Sequence, residues 1–285
     1  MTQTIGNPLS WTAQAVGATG SHLAETASEI GSGVDAHPPR IQVLTRDDIV
    51  HALRAGWDDM QALRADALCL VAIYPLIGLT LITMSFHAGL IPMIVPLVAG
   101  FALVGPVASI GFYEMSLRRE TGQQVHWRDA FSVLKTPSFG SIAALAVYLL
   151  AMMMVWMMLA GWIYNVTLGP EPPASLSAFA RDIFTTFRGW EMIAMGAVIG
   201  GVMGAAVLAV SVVSVPLLVD RKVGLPVAVV TSVRVALKNP GVILAWGGIV
   251  LGALVLGALP FMLGLVIVLP VLGHATWHLY RRAVP

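Results

Sequence analysis

Five stretches of this chain run for twenty residues or more with almost no charge, and no other feature narrows its folding options as much. A helix needs about 20 mostly apolar residues to cross the hydrocarbon of a bilayer. Residues 67–86, 90–117, 141–165 and 192–219 each reach that length. The last stretch, 242–280, holds about 39 residues before Arg281. As one helix it would be roughly 58 Å long, too long for one crossing. Pro260 and its flanking glycines offer a break, so it is read as two helices, 242–259 and 261–280. A lipid solvent also explains the composition, which is 57% hydrophobic and 11% charged, whereas soluble domains run near a quarter charged.

Lys and Arg decide which side each loop occupies. Before the first helix stand Arg40, Arg46, Arg54 and Arg64. After the second come Arg118, Arg119, Arg128 and Lys135, and after the fourth Arg221, Lys222, Arg234 and Lys238. Arg281 and Arg282 follow the sixth. These are 14 of the 16 basic residues, and six crossings with a break at Pro260 place all of them on one side. Both termini are then cytoplasmic. Arg181 and Arg188 alone fall outside, in a loop where Leu176, Phe179, Ile183, Phe184 and Phe187 recur at helical spacing. That loop reads as a short interfacial helix with its aromatics at the headgroups. Residues 1–39 hold no Lys or Arg and no apolar core, and read as a disordered cytoplasmic tail ahead of a six-helix transmembrane domain, 40–285. The first helix then serves as an uncleaved insertion signal.

Several functions are excluded early. A formal net charge of +1 provides no basic face for nucleic acid. One cysteine, Cys69, rules out a disulfide framework, a CxxC redox pair and covalent haem attachment.

Three segments resemble one another: 56–66, 127–137 and 230–240. Each is amphipathic, ends in or near a basic residue, and leads into an apolar hairpin. Pro106 is followed at +7 and +8 by Tyr113 and Glu114, then by Arg118 and Arg119. Pro270 is followed at the same offsets by Trp277 and His278, then by Arg281 and Arg282. The middle copy is shorter, with Pro216 and then Asp220. The fold class expected is therefore all-α and polytopic: six transmembrane helices as three hairpins, each preceded by a cytoplasmic amphipathic segment.

Candidate sites are sparse. Gly196, Gly200 and Gly204 share a helix face, which permits close helix packing in lipid. Gly248 and Gly252 are the expected partner face within the protomer, and a homodimer seam is the alternative. Met152, Met153, Met154, Met157 and Met158 could offer thioethers to Cu(I), but they surround the helix and read better as gap-fillers. His274 and His278 lie one turn apart and are weak metal or haem candidates; a hydrogen-bonded polar layer is the plainer reading. Glu114 is an ionisable group inside an apolar stretch, a functional suspect by default, although Arg118 four residues on can pair with it. If the repeat holds, Glu114, Asp220 and His278 meet at the cytoplasmic end as a candidate polar site. Pro92, Pro96 and Pro106 free carbonyls in the second helix that must find partners internally. No catalytic residue and no bound cofactor is expected.

The stretch from Gly100 through Pro106, Gly111-Phe112-Tyr113-Glu114 and Arg118-Arg119-Glu120 resembles the bacterial integral membrane family DUF2189. So do Leu269-Pro270 through Trp277-His278 to Arg281-Arg282, and Ile41 to Thr45 with Ala52 to Trp57. The resemblance implies a bacterial inner-membrane protein of a family whose name records an unknown function. Some members are labelled candidate cytochrome c oxidase subunits. An oxidase core needs several intramembrane histidines, and this chain offers His87, His274 and His278. A non-enzymatic protein working through interactions is therefore expected, with an accessory or assembly role beside a respiratory oxidase as one version. A small-molecule or ion transporter is the rival, and a metal or haem binder using His274 and His278 the second. The lipid bilayer is the expected environment.

Overall fold

In the computed structural model the described residues are 39–87, 89–260 and 262–285. The tail read at 1–39 lies, except for its last residue, outside them. Every regular element among the described residues is helical. In chain order they are α1 (Arg46–Ala62), α2 (Arg64–Val71), α3 (Ile73–His87), a 3-10 turn (Ile91–Met93), α4 (Ile94–Ala108), α5 (Ile110–Glu120), a 3-10 segment (Trp127–Lys135), α6 (Phe139–Thr167), α7 (Leu176–Thr185), α8 (Phe187–Ser211), α9 (Ser214–Asp220), α10 (Leu225–Lys238), α11 (Pro240–Ala258) and α12 (Leu265–Ala283).

Five helical runs are long and apolar enough to cross a membrane: Asp66–His87, Ile91–Glu120, Phe139–Thr167, Phe187–Asp220 and Pro240–Ala258. They fall on the first five stretches read from the sequence. The sixth stretch forms a helix, α12, but it starts at Leu265, not at 261. Its second half carries His274, Trp277, His278, Tyr280, Arg281 and Arg282, so it is not apolar enough to count among the five. The break near Pro260 is present. Met262 takes a left-handed φ of 64° there, a conformation side chains rarely adopt. A Cβ on Gly264 would lie 2.8 Å from the Gly257 backbone, so the two legs close on each other glycine to glycine.

Asp66–His87 is interrupted at Ala72, between α2 and α3, and two later runs are broken as well. The first turns at Ser109, between α4 and α5, three residues after Pro106. Proline removes a backbone donor and displaces its neighbours, and the carbonyl of Ala108 at this break accepts the Tyr74 hydroxyl at 2.7 Å. The second breaks at Val212 and Val213, between α8 and α9. There the backbone N–H of Val213 donates to Ser232 Oγ at 3.1 Å. In both places a side chain from another element satisfies the group that the break leaves free.

The spanning helices pack unevenly. In Phe187–Asp220, 56% of the most apolar window is buried, whereas in the other four runs the share is 24% or less. The α8–α9 run is thus the axis on which α6, α7, α10 and α11 rest. Gly200 makes this packing close: its Cβ would sit 2.9 Å from the Trp156 ring. Gly196 and Gly204 face open space, as do Gly248 and Gly252. The contact between α8 and α11 instead uses Gly247, whose Cβ would meet Leu208 at 2.6 Å. Met154 and Met158 are exposed, and Met153 packs beside Gly100.

The loop read as an interfacial helix folds as α7, capped by Ser175, whose hydroxyl accepts from the Ala178 N–H at 3.1 Å. Phe179 is buried edge-on against Tyr164, and Phe184, Phe187 and Trp190 are exposed.

Candidate functional site

The densest polar packing lies at the end of the bundle that carries Arg118, Arg119, Arg221 and Arg281. It depends on how α1 is docked. α1 is amphipathic, with Ile49, Ala52, Gly56, Asp59 and Met60 all buried on one side, the spacing of a single helix face. That side lies along α12, the most extensive contact between any two elements. Gly56 allows it: a Cβ there would come within 2.6–2.8 Å of the Ala275 backbone and side chain. On the opposite side of α12, a Cβ at Gly273 would meet the Phe112 ring at 2.7 Å. Two glycines thus bring α1, α5 and α12 close enough for their polar side chains to touch.

Asp59 is the hub of what results. Its Oδ2 accepts from the Ser116 hydroxyl at 2.6 Å and bonds His278 Nε2 at 2.9 Å. Its Oδ1 forms an ion pair with Arg119. Ser116 Oγ also lies 2.8 Å from His274 Nδ1. A hydroxyl has one proton, and Ser116 gives it to Asp59. As a neutral imidazole, His274 must then carry its proton on Nδ1 and donate to Ser116. Its Nε2 is left with a lone pair and no partner among the described residues, beside the Phe112 ring at a centroid distance of 5.4 Å. The Asp59 side chain is 6% exposed and that of His274 is fully buried. Burial works against the Asp59 carboxylate, yet hydrogen bonds from His278 and Ser116 and the two nearby imidazoles together hold its pKa below the ordinary value.

A second set of bonds ties the ends of three runs together. Arg281 bonds Glu120, at the end of α5, at 2.8 Å and Asp220, at the end of α9, at 3.2 Å. Tyr280 donates to Asp220 at 2.5 Å, and Trp277 Nε1 to Glu120 at 3.2 Å. Arg221 pairs with Asp220 and reaches the Pro285 carbonyl at 3.0 Å. A third set fastens the chain leading into α1. The Leu44 N–H donates to Asn239 Oδ1 at 2.7 Å, the Gln42 N–H to the Ala283 carbonyl at 2.9 Å, and Arg282 Nε to Asp48 at 2.7 Å.

The residues singled out from the sequence are distributed among these sets. His274 and His278 enter the Asp59 cluster, Asp220 enters the Arg281 set, and Glu114 pairs with Arg118 at 2.9 Å, which also reaches Asp129 at 3.3 Å. Glu114, Asp220 and His278 therefore bond different partners, and it is Glu120, not Glu114, that Arg281 links to Asp220. Asp59, Ser116, Arg119 and Glu120 were not singled out. Asp59 had a legible signal, since it shares the inward face of an amphipathic helix with Ile49, Ala52 and Gly56, where a buried acid demands a partner. Ser116 had none. No group of three or more His, Cys, Asp or Glu side chains placed to hold a metal ion occurs among the described residues. His278 spends its Nε2 on Asp59, and His274 spends its Nδ1 on Ser116.

No curated protein and no solved structure matches the chain. The family model described as predicted integral membrane protein, DUF2189, matches residues 93–220. The match takes in the Gly100–Glu120 string and ends at Asp220, while the similar strings near Trp57 and Trp277 lie beyond it. An apolar all-helical chain with five runs fit to cross a bilayer is what such a family requires, and residues 93–220 of this integral membrane protein are similar to DUF2189.

Proposed function

We propose that the chain is a non-enzymatic protein of the bacterial cytoplasmic membrane that acts through contact with other membrane proteins. In this reading α12 is a sixth crossing, the helices form three hairpins, both termini are cytoplasmic, and the Asp59 cluster is a clasp at the cytoplasmic end. The observation that carries the reading is the closure of that cluster. The Asp59 carboxylate is occupied by Ser116, His278 and Arg119, and Asp59, Ser116 and His274 are all buried, so the groups hold one another rather than facing a substrate. The convergence of Glu120, Asp220 and Arg281 supports three hairpins whose second legs end together.

The spans support interaction over transport. The Ser and Thr hydroxyls of α3 bond back to their own helix: Thr80 to Leu76, Thr83 to Leu79, and Ser85 to Leu81, each at 2.8 Å. Hydroxyls spent this way line no polar path. The outward faces of α3, α4, α6 and α11 are apolar, suited to lipid or to another membrane protein. An oxidase is the first partner to test, on the family resemblance alone. Isolation in mild detergent followed by mass spectrometry of bound proteins decides the matter. A stoichiometric membrane partner is expected, and clean recovery as a lone homo-oligomer would refute the reading. Cysteine labelling in a Cys69→Ser background tests the topology, with residues 170–175 and the C-terminus expected on opposite sides.

A further inference from the structure

Two elements at the basic end remain unexplained by the clasp: the 3-10 segment Trp127–Lys135 and α10. We propose that both lie on the membrane surface and bind the headgroups of anionic phospholipids. This goes beyond the partner reading and does not depend on it.

Their position restricts them first. The 3-10 segment follows the run that ends at Glu120 and precedes the one that starts at Phe139. α10 follows the run that ends at Asp220, and one residue separates it from α11. Neither can travel far from the level at which the spanning helices leave the hydrocarbon.

Each is then fastened by one face. Ala130 and Val133 are buried, and Gly111 admits Ala130 so closely that a Cβ would meet it at 2.8 Å. In α10 the buried face is Ala228, Thr231, Ser232, Val235 and Ala236. The opposite faces are fixed by this docking, and they are apolar. Trp127, Phe131 and Leu134 are 40%, 52% and 59% exposed, and Val230 and Leu237 are 49% and 76% exposed. In water such stripes would be a liability; at a bilayer surface they enter the boundary between headgroups and acyl chains.

Charge selects the occupant. The Arg128 guanidinium sits over the exposed Trp127 ring at 5.5 Å, on the outward side, and Lys135 closes the segment. The one acid there, Asp129, is taken by Arg118. From Arg221 to Pro285 the sequence contains no Asp or Glu at all. Exposed Arg234 and Lys238 thus flank Val230 and Leu237 with no acid in their own element; the Lys238 ammonium meets the Ile41 carbonyl at 2.9 Å. Cations beside outward apolar residues at headgroup depth match phosphodiester anions.

The test uses the full chain in phosphatidylcholine vesicles with spin-labelled phosphatidylglycerol or phosphatidylcholine as probe. The wild type should associate preferentially with the phosphatidylglycerol probe. Each of Arg128→Gln, Lys135→Gln and Arg234→Gln should cut that preference by up to about fivefold, with thermal unfolding unchanged. Equal association of the two probes, or a preference the variants leave intact, overturns the proposal. An environment-sensitive dye at Leu237→Cys in the Cys69→Ser background gives an independent reading. Emission shifted to the blue only in vesicles is expected; emission typical of water, or a shift that also occurs in detergent with a bound protein, overturns it.

Discussion

The two ends of α12 face different problems. Its first half, with Leu265, Val266, Ile267 and Val268, belongs to a set of apolar helices that bury little of themselves against one another. Its second half, from Gly273 to Ala283, is enclosed by α1, α5 and α9 and carries long-range polar bonds to Ser116, Asp59, Asp220 and Glu120. Between the spanning helices association rests on shape, because lipid is as apolar as the side chains it would replace. At the basic end it rests on directional bonds whose loss leaves charges stranded. The two regions should therefore respond in opposite ways to the same kind of change.

The largest expected effect is at the hub. Asp59→Ala leaves Arg119, Ser116 and His278 without their common acceptor, and should cost about 3–5 kcal/mol, seen as a lowered thermal midpoint in mild detergent and early proteolysis before Ala62. A small loss would mean that the cluster does not hold α1. Next is Gly56→Ala, whose new methyl would collide with Ala275; about 1–3 kcal/mol is expected from overpacking. The matching change in the bundle, Gly204→Ala, meets open space and should stay within about 0.5 kcal/mol. Equal effects at Gly56 and Gly204 would erase the contrast between the regions.

Acid should act on the basic end alone. Because the Asp59 pKa is lowered in the folded protein, the stabilisation it provides is fully present above the ordinary carboxylate value near 3.9 and is lost as pH falls below it through the folded value. A stability profile from pH 6 to pH 2 should fall at the acid end, and Asp59→Asn should flatten that part of the slope. A small effect is also expected from Glu114→Gln. Its partner Arg118 is a quarter exposed, and such i,i+4 pairs are worth less than about 1 kcal/mol; a larger loss would return Glu114 to the list of functional suspects.

What was legible in the chain was what depends on local composition. Apolar length placed the five spans to within a few residues, because each must bury about twenty residues in hydrocarbon wherever it goes. Pro260 marked a real break, and the aromatic spacing after Leu176 marked α7. His274 and His278 were visible as a pair, but the acid that binds His278 lies 219 residues away, and no local pattern joins them. The glycine stripe shows the same limit: spacing four along α8 describes a face without saying what covers it, and of Gly196, Gly200 and Gly204 it is Gly200 that meets a neighbour among the described residues. The sequence by itself determined that this protein is helical and lives in lipid, because the backbone must satisfy its hydrogen bonds internally there. Only the tertiary structure decided that Asp59, not Glu114, is the centre of its polar end, because a buried charge is placed by partners drawn from distant segments and those are set by packing.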